Sequence, residues 1–182
     1  MRVVVATAAL AATLTAGVAA TAQPVEVYTM GPGDDVFSRF GHAALCVRDA
    51  ESPEGRCYNY GTTDFSTPGP LTWAVLRGRA RFWVSVAPLQ RMLDWYGAAG
   101  EDRTVWRQRV ALTPEQFDAL RARLRDDLRP DQRAYVYHHF RDNCTTRVRD
   151  HLDAVTLGAL RGAVDRRHDR TWRAMVLDGF GD

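Results

Sequence analysis

A cysteine, a histidine and an asparagine, far apart along this chain, have the types and settings needed for thiol chemistry. Cys144 lies in the stretch FRDNCTTRVRDHL, residues 140–152. Asp142 or Asn143 suits a helix N-cap there, Thr145 and Thr146 fall in the first turn, and Val148, Leu152 and Val155 recur at helical spacing. The first amides of a helix have no intrahelical partner, and the macrodipole puts partial positive charge at that end. Both favour thiolate over thiol, so a cysteine there becomes a better nucleophile. A cysteine in such a place can equally be a small buried hydrophobe. The chemistry therefore depends on a base, and His42 with Asn59 as its orienter are the candidates.

The elements that must position these residues follow from the rest of the chain. Residues 1–22 read MRVVVATAALAATLTAGVAATA: one arginine, a short alanine-rich apolar run, and Ala20-Thr21-Ala22 as a cleavage site before Gln23. This pattern predicts a secretory signal peptide rather than a membrane span. The expected mature protein is one domain, 23–182, exported without a transmembrane segment and, in a Gram-negative cell, periplasmic. At 46% hydrophobic and 25% charged residues, the composition is that of a folded globular chain. The net charge is only +2 and the arginines are dispersed, which argues against a nucleic-acid partner. No repeat or low-complexity linker divides the chain.

Three cysteines in an oxidising compartment can be sorted. Cys46 ends the segment GHAALCV and Cys57 begins CYNYG, with RDAESPEGR between them as turn material. This predicts a hairpin with a long loop and a Cys46–Cys57 disulfide, rather than two separate buried thiols, and leaves Cys144 as the free thiol. Side chains alternate along strands, so His42, Ala44 and Cys46 share a face, as do Cys57 and Asn59. If Cys46 opposes Cys57, Ala44 opposes Asn59 and His42 lies diagonal to it. The Asn59 amide oxygen could then accept from one imidazole nitrogen and leave the other for a thiol. Tyr58, Tyr60 and Asp64 are weaker rivals for the orienting role.

Elsewhere, strands are expected over 25–30, 79–87 and 103–112, and an extended segment over 135–140. Residues 31–41 suggest a turn and a short helical segment capped by Asp34, and 62–70 a loop. Residues 89–97 form an apolar helical stripe. The surest helix is 113–128, with Thr113 as cap, Pro114 in the first position, Gln116 completing a capping box, and Phe117, Leu120, Leu124 and Leu128 as its stripe. The sum is an α+β fold, an antiparallel sheet with about three packed helices. No cofactor motif is present: Gly31 and Gly33 lack the lysine and spacing of a phosphate loop. His138, His139 and His151 make no complete metal-ligand pattern.

The segments YTMGPGDDVFSRFGHAALCV, YNYGTTDF and FRDNCTTRVRDHLD, in that order, resemble the Lnb N-terminal periplasmic domain family, over about residues 25–165. The layout also resembles circularly permuted papain-like proteins, the group that includes relatives of NlpC/P60 peptidases. There a histidine on a strand precedes a nucleophilic cysteine at a helix N-terminus. The resemblance implies His42 as base and Cys144 as nucleophile, with Asn59 as the nearest match to a third polar residue. Two functions follow. One is a thiol hydrolase or acyltransferase acting on amide or ester bonds of cell-envelope material. The other is a non-catalytic periplasmic module that assists maturation or assembly of exported protein partners.

Overall fold

A computed structural model describes residues 25–163 and 169–179; the expected signal segment 1–22 lies outside the described residues. The six strands are β1 (Val25–Met30), β2 (His42–Asp49), β3 (Ser52–Thr62), β4 (Arg81–Pro88), β5 (Val105–Val110) and β6 (Ala134–Val136). They form one sheet in the order β5-β1-β2-β3-β4-β6, every neighbouring pair antiparallel. The helices are α1 (Pro68–Leu76), α2 (Leu89–Tyr96), α3 (Pro114–Asp126), α4 (Cys144–Val155), α5 (Ala159–Ala163) and α6 (Trp172–Gly179).

The sheet is covered on both faces, and the pleat decides which residue goes where. One face of β2, with Ala43, Leu45 and Val47, packs with Tyr58, Tyr60, Phe82 and Val84 against Phe117, Leu120 and Leu124 of α3 and Val148, Leu152 and Val155 of α4. The opposite face, with Ala44 and Cys46, packs with Tyr28, Met30 and Cys57 against Leu89 and Met92 of α2. Side chains in such a core contribute about 1.5–3 kcal/mol each on burial. The α3 stripe and its capping box are as expected: the Thr113 hydroxyl accepts from the Gln116 amide, and the Gln116 side chain accepts from the Thr113 amide.

Several local expectations are corrected. The β2–β3 connection is not a long loop. Asp49 pairs with Ser52, and the Asp49 carboxylate accepts from the Glu51 and Ser52 amides at 3.0 and 2.8 Å, closing a tight turn. Most of the supposed loop is strand, with a register shift opposite the segment that holds Gly55, whose φ is +101°. Residues 31–41 form turns rather than a helix, and Asp35, not Asp34, accepts from the Phe37 and Ser38 amides. Strand β6 stops at Val136, and a turn closed by a His138–Asp142 bridge follows. Helix α1 occupies part of a segment expected as loop, because Pro68 and Pro70 stand where a first helical turn tolerates proline. With α5 and α6, the described helices number six rather than about three.

Gly41 immediately precedes His42 and has φ +76°. A Cβ there would lie 2.7 Å from the carbonyl oxygen of Met30, the residue paired with His42. Gly41→Ala should therefore destabilise the fold by about 1–3 kcal/mol through strain and a displaced backbone. Urea unfolding of the variant checks this; an unchanged midpoint would refute it.

Candidate functional site

Cys144 is the first residue of α4. Asn143 is its N-cap: the Asn143 side chain accepts from the Thr146 amide at 2.9 Å, and the Thr146 hydroxyl accepts from the Asn143 amide at 2.8 Å. The Asn143 side-chain Nδ2 donates to the His139 carbonyl, tying the cap to the preceding turn. Arg147 grips Asp142 with two bonds of 2.6 and 2.9 Å and lies 3.7 Å over the Tyr135 ring. The first turn of α4 is thus braced from both sides, and the thiol on it has a set position.

The imidazole comes from the other layer. His42 opens β2 on the face turned toward α2, whereas α4 packs against the opposite face. They meet where the N-terminus of α4 passes the end of the sheet. The β3–β4 register shifts between Tyr60 and Thr62, and Gly61 is the extra residue, with φ +98°. A Cβ on Gly61 would sit 3.9 Å from Cys144 Cβ, so α4 approaches the strand closely there.

Asn59 opposes Ala44, and Cys46 opposes Cys57, the register the sequence implies. His42 Nε2 lies 3.2 Å from Asn59 Oδ1. An amide oxygen only accepts, so Nε2 carries the proton and Nδ1 is left for the thiol. The Asn59 Nδ2 group donates to the Cys57 carbonyl at 3.4 Å, which keeps the amide oxygen turned toward the imidazole. Asn59 is buried. The Cys46–Cys57 disulfide is present and Cys144 is the free cysteine.

Burial alone would push the Cys144 thiol up. A hydrogen bond from His42, the charge of His42, and hydrogen bonds from the Ala43 amide and the Thr145 hydroxyl more than offset it, bringing the thiol down to about 7. The structure therefore brings Cys144, His42 and Asn59 together, half-buried thiol included. A cavity of about 930 Å³ adjoins them, with His42, Asn59 and Gly61 in its wall; Cys144 itself stands beside Gly61 rather than in that wall.

Two features of the site were not foreseen. Tyr96, expected only as part of an apolar stripe, lies against the His42 ring with centroids 5.5 Å apart. Burial, together with the nearby Glu101, raises its phenol to about 12, so it stays protonated. Arg103, expected within a strand, is a buried cation over the Tyr96 ring. Neither has a motif; only an unpaired helix stripe and an arginine beside β5 hint at them.

Among the described residues, His138, His139 and His151 lie outside the site and make local contacts. The Tyr60 hydroxyl, Asp127 carboxylate and His151 Nε2 lie 2.7–2.9 Å from one another. His138 Nδ1 accepts from the Phe140 and Arg141 amides, and His139 Nδ1 meets the Tyr137 hydroxyl. Among the described residues, no group of three or more His, Cys, Asp or Glu side chains could hold a metal ion, and no helix is long and apolar enough to cross a membrane.

No curated protein matches the chain. The solved structure of TseH, a type VI secretion system effector, is similar at 15% identity over 88% of this chain and 89% of that one, with a TM-score of 0.43. The model of the Lnb N-terminal periplasmic domain matches residues 13–176, which take in β1, the β2–β3 hairpin and the Cys144 helix. Sequence motifs and family model agree over nearly the whole chain, and the protein belongs to the Lnb N-terminal periplasmic domain family.

Proposed function

We propose that this domain is a thiol hydrolase or acyltransferase of papain-like type, acting on amide or ester bonds of cell-envelope material. The observation that carries it is His42, held by Asn59 on one nitrogen and acting on a Cys144 thiol brought down to about 7. A structural cysteine packed against apolar side chains would have its thiol raised instead.

In this reading the Cys144 sulfur attacks the substrate carbonyl as thiolate. The His42 imidazolium gives its Nδ1 proton to the leaving amine or alkoxide, and a thioester remains on Cys144. Free amides of the first turn of α4 stabilise the oxyanion. Neutral His42 then takes a proton from water, or from an acceptor alcohol or amine, whose attack releases the acyl group. General acid–base catalysis of this kind contributes about a hundredfold to ten-thousandfold. The order of the chain, a histidine strand before a cysteine helix, is the one that the permuted papain-like resemblance implies. Export through residues 1–22 would place the enzyme with its substrates.

Intact-mass spectrometry of the periplasmic protein after brief exposure to p-nitrophenyl acetate tests the proposal. The expected mass begins at Gln23 and carries one acetyl group on Cys144. Cys144→Ser should fold and acquire no acetyl group on this timescale. Acetylation of wild type no faster than of His42→Ala would overturn the enzyme reading and favour a non-catalytic helper of exported proteins.

A further inference from the structure

We propose that Tyr96 and Arg103 are positioning residues for His42: the phenol ring holds the imidazole plane, and the guanidinium locks that ring to the end of β1. The inference rests on the thiol–imidazole reading of the site and extends it to residues that touch no reacting atom.

The geometry is a chain of contacts that starts at the imidazole. Tyr96 closes α2, and its ring is inclined 31° to that of His42 at 5.5 Å. On the Tyr96 ring lies the Arg103 guanidinium, 5.1 Å from the centroid. The Arg103 side chain is only 4% exposed, and each guanidinium nitrogen has a partner. Nε donates to the Gly31 carbonyl at 2.7 Å, Nη2 to the Met30 carbonyl at 3.4 Å, and Nη1 to Glu101 at 3.0 Å. The Arg103 amide donates to the Tyr96 carbonyl at 2.8 Å. Met30 is the β1 residue paired with His42. One side chain therefore ties together the strand opposite the imidazole and the ring lying against it.

Such a clamp has a reason. Asn59 fixes one nitrogen of His42 but leaves the ring free to rotate about that single bond. An imidazole that swings on this axis presents Nδ1 to the thiol only part of the time. A flat neighbour removes that freedom, and cation–π contact with a buried arginine costs the neighbour its own mobility. Lysine would not substitute for Arg103, because an ammonium cannot reach two carbonyls and a carboxylate while lying flat on a ring.

The experiment follows the pH dependence of Cys144 alkylation by iodoacetamide together with the His42 signals by NMR. Groups that face the thiol are His42 from β2, Tyr96 from α2, and Tyr135 and Tyr137 from β6 and the turn after it. Burial holds all three phenols protonated well above neutral pH, so an alkylation midpoint near 7 reports the thiol–imidazole pair. Tyr96→Leu should raise the midpoint and slow alkylation at pH 6 by about two- to fourfold, as the fraction of thiolate falls. Arg103→Lys should move it the same way by less. Tyr96→Phe keeps the ring and should restore the wild-type midpoint. In wild type, Tyr96 should shift the carbon-bound His42 protons upfield by its ring current, and Arg103→Lys should weaken that shift.

A folded Tyr96→Leu or Arg103→Lys protein with the wild-type midpoint and His42 shifts overturns the proposal. If Tyr96→Leu does not fold, Arg103→Lys and the wild-type ring-current shift decide alone. Failure of the underlying reading looks different: His42→Ala would then leave the midpoint unchanged as well.

Discussion

Alkylation of Cys144 by iodoacetamide should show a midpoint near pH 7, against about 8.5 for an unperturbed cysteine. The sign follows from the acid: the thiolate is the reactive form, and it accumulates as pH rises through the midpoint. At pH 6 this gives about thirtyfold more thiolate than an ordinary thiol has. A less basic thiolate is also a weaker nucleophile, so the net rate gain is about sixfold. The midpoint is therefore the sharper measurement. His42→Ala should have the largest effect of any substitution here. It removes both the hydrogen bond and the charge that lower the thiol, and leaves burial, the largest single influence, which raises it. The midpoint should move to the ordinary cysteine value or above, and labelling at pH 6 should fall accordingly. A His42→Ala profile that overlays the wild type would remove the imidazole from the site's chemistry. Asn59→Ala should act in the same direction but less, because it frees the ring without removing it.

Loss of the disulfide should be the largest stability effect away from the site. Cys46 and Cys57 are both buried, directly opposed across β2 and β3, and separated by 11 residues in sequence. Closing a loop of that length in the unfolded chain is worth about 3 kcal/mol. Cys46→Ala/Cys57→Ala should therefore lower stability by about that amount in urea, with some added loss from the cavity left by the sulfur atoms. The consequence for the site is indirect. The cross-link pins the register that sets Asn59 opposite Ala44 and so within reach of His42. The double variant should still label at Cys144, with a midpoint shifted upward if the register loosens. Equal stability of oxidised and reduced wild type would refute the estimate.

Strand periodicity together with the assumed Cys46–Cys57 pairing was enough for the register of the hairpin, though not for its tight turn. Strand alternation is local and has a period of two, so once Cys46 faces Cys57 the positions of His42, Ala44 and Asn59 follow. The capped α3 helix was legible for the same reason: Thr113, Pro114 and Gln116 act on their own first turn. Placing Cys144 at a helix N-terminus likewise needed only neighbours within a few residues. The expectations of export and of cell-envelope substrates came from motif and resemblance rather than from packing.

Tertiary structure decided what no local rule reaches. His42 and Cys144 lie 102 positions apart and on elements that pack against opposite faces of the sheet. Their meeting depends on the Gly61 bulge, on where α4 crosses the sheet end, and on the turn braced by Arg147 and Asp142. Helix α1 was misread because its apolar side chains show little periodicity and its prolines signal a loop until they are seen in a first turn. Tyr96 and Arg103 were legible only as stripe and strand residues. A stripe states that a side chain will be covered, and only the packed chain states by what. Here the cover is an imidazole and a buried guanidinium.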